Sequence, residues 1–259
     1  MYTVVSVHVF EQRTVLPRGR NAARREVVYA SQRGRMLTAM VEAVAEKSYA
    51  HVAVADVIAR AGVSRKTFYE QFADKEDCFL AAYDSGVDAL VAAIDRAVAR
   101  RAPDWPAAIE TGITVYLETL AANPAFAYTF HIEVLGAGQK ALARRAAVHE
   151  RFAAQLAAAH VGLRADLPEI RDVPAHTFPA AVGAVTELVT AHLIERGAES
   201  LPELGEAIAD VEFALLIGRE LAERIRSGRA PAEGDLTRIG PIERQSCLRA
   251  PSRSSTRHD

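Results

Sequence analysis

Residues 64–67 read Ser-Arg-Lys-Thr, a run in which side-chain type and order suggest a definite chemistry. Ser64 is suited to cap a helix, and the three residues after it would then stand on an exposed first turn. Arg65 and Lys66 can donate to guanine O6 and N7, and the Thr67 methyl can touch a thymine methyl, so the three types suit readout of base edges in a major groove. Tyr69, Gln71 and Lys75 follow with donors suited to phosphate oxygens, contacts that fix register without reading sequence.

These side chains are useful only if short helices hold them. Leu37, Met40, Val41 and Val44 recur at helical spacing and predict a first helix from about Ser31 to Lys47. Val54, Val57, Ile58 and Ala61 predict a second, Gly62 can take the left-handed conformation of a sharp turn, and Ser64 opens a third that ends near Tyr69. Val57, Ile58, Ala61, Val63, Phe68 and Phe72 form the expected core of this unit. A longer helix is predicted from Asp74 to about Arg101, where Pro103 and Pro106 interrupt the chain.

Composition fits an all-α chain. Aromatics are only 7% of the 259 residues, and alanine, leucine, arginine and glutamate dominate. The formal net charge of −2 argues against uniform coating of nucleic acid, yet Arg13, Arg18, Arg20, Arg24, Arg25, Arg33 and Arg35 face only Glu11 and Glu26 at the N-terminus. Residues 1–30 therefore read as a flexible basic arm. Arg18 and Arg20 in Pro17-Arg18-Gly19-Arg20 could enter a minor groove, while a solvated tail fits the same residues. The run is similar to an AT-hook core, although Asn21 replaces the proline expected next.

Cys78 and Cys247 belong to no C-x-x-C motif or Cys/His cluster, so neither a disulfide framework nor a metal site is expected. The sequence suggests no cofactor, no membrane span or association and no export signal, and a reducing cytoplasm fits. Further helices are expected at about 106–122, 124–135, 139–161, 175–196 and 202–227, with a disordered basic tail over 229–259. The organisation expected is an arm to residue 30, a DNA-binding unit over 31–85, a helical bundle over 86–228, and the tail.

In the bundle, Phe178, Val182, Val185, Val189 and Leu193 share one face, and Leu204, Ile208, Val211, Leu215, Leu221 and Ile225 another, with Gly218 in the second stripe. Two such faces can form a four-helix bundle across a two-fold axis or an internal core. Aromatic and polar residues upstream could line a pocket, with Tyr128, His131 and His176 as candidate ligand contacts. Residues 136–141 fit G-x-G-x-x-A after a stretch that could pass as a strand, but no second strand ends in an acidic residue at the required spacing. No catalytic residues are visible, and Cys78 as a redox sensor is weighed against a buried, inert thiol.

The segment Val54–Lys75 closely resembles the DNA-binding domain of TetR/AcrR-family transcriptional regulators: Ala61-Gly62-Val63-Ser64, Phe68-Tyr69, Phe72 and Lys75 stand at the signature positions. The resemblance implies a homodimer, usually a repressor, that leaves a palindromic operator when a small molecule binds. Two positions depart from it, with Ala53 where the family usually has a threonine cap and Ser48 where it usually has glycine. The alternative from another class is a helical enzyme or small-molecule carrier.

Overall fold

The computed structural model describes residues 21–100 and 105–218, with side chains from 28 to 100 and from 107 to 218. Described elements are helical throughout, with no strand among them. Arg18, Arg20, the tail over 229–259, Cys247, Leu221 and Ile225 lie outside the described residues.

Helix α1 spans Asn21–Lys47, ten residues longer at its start than the periodicity predicts. Ala, Arg and Glu in residues 21–30 favour helix without an apolar stripe, so propensity rather than pattern carries the extension. It is anchored where it passes the end of the third helix: the Tyr29 hydroxyl donates to the Glu70 carbonyl at 3.3 Å, and Gln71 Nε2 donates to the Tyr29 carbonyl at 3.4 Å. Arg33 lies over the Phe72 ring at 4.5 Å, so part of the basic surplus is used in packing.

A 3₁₀ turn at Tyr49–His51 leads to α2 (Val54–Ala61), α3 (Arg65–Tyr69) and α4 (Lys75–Ala99). Helix α4 continues through residue 85, so the expected domain boundary falls inside a helix. Its first half buries Cys78, Phe79, Ala82 and Tyr83 against α1, while Val87, Leu90 and Val91 pack into the C-terminal bundle. That bundle comprises α5 (Trp105–Ala122), α6 (Pro124–Tyr128), a π-helical turn at Thr129–Glu133, α7 (Val134–Gly136), α8 (Gln139–Asp166), α9 (Thr177–Arg196), a 3₁₀ turn at Leu201–Leu204 and α10 (Gly205–Leu216). The stretch preceding the G-x-G-x-x-A run is helical, which removes the strand a dinucleotide motif needs.

The face expected on α9 turns inward, with Val182, Val189 and Leu193 buried and Phe178 and Val185 half-buried, whereas the stripe expected on α10 is corrected in part. On α9, Ala181, Val182, Thr186, Val189, His192 and Leu193 are buried in the chain's own core, while Ala180, Gly183, Glu187, Ala191 and Ile194 face outward. On α10 the buried set is Ile208, Ala209, Glu212, Phe213 and Leu216, and Leu215 is exposed. Helix α10 ends at Leu216, so Gly218 follows the helix, and nothing lies within 4 Å of where its Cβ would stand. Among the described residues α9 alone is long and apolar enough, by length and composition, to cross a membrane; only about a third of it is buried within the chain. Its apolar residues occupy both faces and are interrupted by polar ones, so the sequence holds no single uninterrupted apolar run there.

Two positions test the backbone in opposite directions. Ser48 has φ 63° and ψ 154°, a region populated almost only by glycine, at a cost of roughly 1–3 kcal/mol. A Cβ on Gly86 would lie 2.2 Å from Phe126 Cε2, and that ring is fixed in the core. Ser48→Gly, which sacrifices only an exposed hydrogen bond to His51, is expected to stabilise the chain by about 1 kcal/mol in urea denaturation. Gly86→Ala is expected to destabilise it by about 1–3 kcal/mol in the same measurement.

Candidate functional site

The turn between α2 and α3 is built by backbone conformation and one cap. Gly62 sits at φ 62°, ψ 43°, and the Val63 N–H donates to the Ile58 carbonyl at 3.2 Å. The Thr67 N–H donates to Ser64 Oγ at 3.0 Å, and the two hydroxyl oxygens are 2.9 Å apart. Thr67 is half-buried, with its hydroxyl engaged by Ser64. Lys66 is 86% exposed and 3.8 Å from Glu70 Oε1, and the Arg65 guanidinium lies 5.5 Å from the centre of the half-exposed Tyr69 ring. Two cations thus stand at the free end of α3.

Gln71 and Lys75 are placed differently from Tyr69. Gln71 bonds back to α1 and its Oε1 is buried without a partner. The Lys75 ammonium donates to the Tyr49 carbonyl at 2.9 Å and lies 4.3 Å from the Tyr49 ring centre. At the start of α2, Ala53 offers no side-chain cap; the Asp56 carboxylate instead accepts the Ala53 N–H at 2.9 Å. That is the half of a capping box that does not need a hydroxyl. Hydrogen bonds from Lys47 and the Ala53 N–H hold the Asp56 carboxyl below its ordinary range.

A second site lies in the bundle. A cavity of about 370 Å³ opens between α4, α5, α8, α9 and α10, walled mainly by apolar side chains such as Ile94, Ile113, Phe152 and Val185. Its polar members are Asp95, Tyr116, His149, Gln155, Thr186 and Glu212. None of the three residues expected from sequence is in its wall. Tyr128 donates to the Leu193 carbonyl at 3.0 Å, His176 is exposed just before α9, and His131 stands behind Tyr116.

The hydrogen bonds behind that wall run in one direction. Thr190 Oγ1 donates to the Thr186 carbonyl at 2.7 Å, so towards His131 Nδ1, 3.4 Å away, it can only accept. His131 Nδ1 then carries the proton, and its bare Nε2 accepts the Tyr116 hydroxyl at 2.9 Å. Burial, with Arg145 nearby, holds the imidazole neutral down to about pH 3. The Thr186 hydroxyl donates to the Val182 carbonyl at 2.8 Å. Both hydroxyls in the wall are therefore committed, and no hydrogen bond or ion pair from a described residue reaches Glu212, which is only 7% exposed. Burial pushes its carboxyl up to about 7.

Helix α4 joins the two sites. Lys140–Glu76 at 2.7 Å, Arg144–Asp84 at 3.6 Å, Arg151–Asp88 at 3.1 Å and Gln155–Asp95 at 3.0 Å form a ladder of largely exposed pairs between α8 and α4. Glu133, on the π-helical turn that also carries His131, accepts the Tyr49 N–H at 2.6 Å. Cys78 is buried with its thiol pushed up to about 12, which argues against the redox-sensor alternative.

Glu212 makes stability depend on pH with a definite sign. Below pH 4.5 the carboxyl is neutral folded or unfolded, whereas above about 7 the folded chain must hold a buried charge. His131 acts oppositely, since its neutral folded form loses stability below pH 6.5. Subtracting profiles isolates Glu212: Glu212→Gln is expected to match the parent near pH 4.5 and exceed it by about 3 kcal/mol above pH 7. Denaturant titrations across that range check it, and parallel profiles would contradict it.

The comparisons with known proteins agree with the two-part layout. The profile described as bacterial regulatory proteins, tetR family, matches residues 37–82. The HTH-type transcriptional regulator EthR of Mycolicibacterium smegmatis is 32% identical over 119 residues, which is 44% of this chain and 52% of that protein, so the chain matches about half of that relative's length. The fatty acid degradation regulator FadR of Bacillus halodurans shares the fold at TM-score 0.64 and 19% identity, over 72% of this chain and 95% of that one. FadR of Bacillus subtilis, solved with stearoyl-CoA, does so at 0.63 and 18%, over 71% and 97%. Residues 37–82 thus match the tetR family of bacterial regulatory proteins, and the described chain shares its fold with the two FadR regulators.

Proposed function

We propose that this chain is a homodimeric transcriptional repressor that holds a palindromic operator and is released by a small, largely apolar effector bound in the 370 Å³ cavity. One observation carries the reading: α4 runs unbroken from the base of the Ser64-capped helix to the cavity wall, so a ligand there acts on the element that aims α3. Arg65 and Lys66 read base edges, the Thr67 methyl packs on a thymine, and Tyr69 grips phosphate. Ser64 fixes their geometry. Gln71 and Lys75 support the unit from behind, with the remaining Lys75 donors turned to phosphate. Arg18 and Arg20 extend the contact into a minor groove.

The dimer is formed by the outward faces of α9 and α10, where Ala180, Gly183, Ala191, Ala207 and Ala214 allow close helix approach and Ile194 and Leu215 supply apolar area. Effector binding shifts α4 and, through Tyr116, His131 and the π-helical turn, loosens the Glu133 hold on Tyr49. The spacing of the two recognition helices then leaves the 34–36 Å that successive major grooves require.

Mobility-shift titration against the DNA flanking the chain's own gene tests operator binding. Arg65→Ala and Lys66→Ala are each expected to cost about 1–3 kcal/mol on the specific site and little on unrelated DNA. Equal losses on both DNAs would contradict base readout. Deleting residues 1–20, which stops short of α1, is expected to weaken binding and lower its salt dependence. Glu133→Gln is expected to leave operator binding without effector nearly unchanged and to reduce the effector's influence on it by roughly fivefold or more. An unchanged response would remove Glu133 from the coupling route.

A further inference from the structure

The cavity wall has a charge pattern that bears on what it binds. Its lining includes two carboxylic side chains, Asp95 and Glu212, and neither lysine nor arginine. Asp95 already accepts from Gln155 near the surface, at 3.0 Å. Glu212 is the buried member, carried on α10 between Ile208 and Leu216, and it shares the wall with the hydroxyls of Tyr116 and Thr186. Those hydroxyls donate elsewhere, to His131 Nε2 and to the Val182 carbonyl. An acceptor this deeply buried gains a partner only from what enters the cavity.

We propose that the effector is a cationic amphiphile, a protonated amine on an apolar body, whose ammonium N–H groups donate to the Glu212 carboxylate. The apolar body fills the space among Ile94, Ile113, Phe152 and Val185. Charge-assisted hydrogen bonds are the strong ones, and a carboxylate already buried without a partner gains from an ammonium that offsets part of its desolvation cost. An anionic head group would find no lysine or arginine in the wall, where burial biases His149 towards its neutral form, and would sit beside a carboxyl. The chemistry therefore differs from that of the stearoyl-CoA held by the Bacillus subtilis FadR.

The inference rests on the reading of the cavity as the effector site, and three probes of one chain length separate the two. Decylamine, decanol and decanoate are titrated into the full chain below their micellar concentrations, with binding read by calorimetry and operator release by fluorescence anisotropy. Decylamine is expected to bind about tenfold or more tighter than decanol, and decanoate more weakly than either. Glu212→Gln is expected to erase the amine's advantage while leaving decanol binding intact, which also certifies the variant's fold. Decanol or decanoate binding as tightly as the amine, or an amine preference that survives Glu212→Gln, overturns the cationic assignment alone. If none of the three binds, or binding leaves the operator complex unaffected, the effector-site reading falls and the assignment falls with it.

Discussion

The contact between Gly86 and the Phe126 ring is the constraint around which the two halves are arranged. With no Cβ on Gly86, α4 lies directly on the ring, and Phe126 in turn stacks at 5.5 Å on Phe130, which stacks at 5.4 Å on Tyr83. Three rings and one missing methyl therefore lock the middle of α4 to α6 and the π-helical turn. Because Tyr83 also belongs to the core around α1, the DNA-binding unit and the bundle share one continuous apolar interior. A ridge of bulky side chains here would have left two cores joined by a hinge.

Away from that point α4 is held by different forces. Its outer edge meets α8 through exposed charged pairs, each contributing little and screened by salt. Its other contacts at the cavity are with side chains around unfilled space. The inner face of this 25-residue helix stays packed beyond the grip, with Leu90, Val91, Ala93 and Ala97 buried and α5 alongside. The polar route from Tyr116 through His131 to Glu133 runs beside that grip and reaches Tyr49 at the edge of the DNA-binding unit.

The DNA-binding unit was legible in sequence because its determinants are local. Gly62, the Ser64 cap and the periodic apolar positions act within a few residues of themselves, and the α2 and α3 boundaries follow from them. Even the departure at Ser48 was visible as a serine in a glycine position, and the backbone there takes the conformation that glycine would prefer. The cavity was not legible, because its wall is assembled from five helices far apart in the chain. His131 and Tyr128 have the right chemistry and face other partners. Glu212 is hidden in sequence for a physical reason: a charged residue on an apolar helix shifts the apparent face, so the pattern favours a stripe through Val211 and Leu215 over the buried one through Glu212 and Leu216. The early start of α1 is not legible in sequence because propensity without periodicity leaves no apolar stripe.

The inner face of helix α9 completes the chain's own core, while its outer face keeps Ile194 69% exposed among small residues. A helix apolar on both sides is fully satisfied only when both are covered. In the proposed homodimer the second cover is another copy of the same helix, so folding and assembly become one equilibrium governed by mass action. Dilution then acts as a denaturant, and the amount of protein in the cell sets how much of each protomer's structure is maintained.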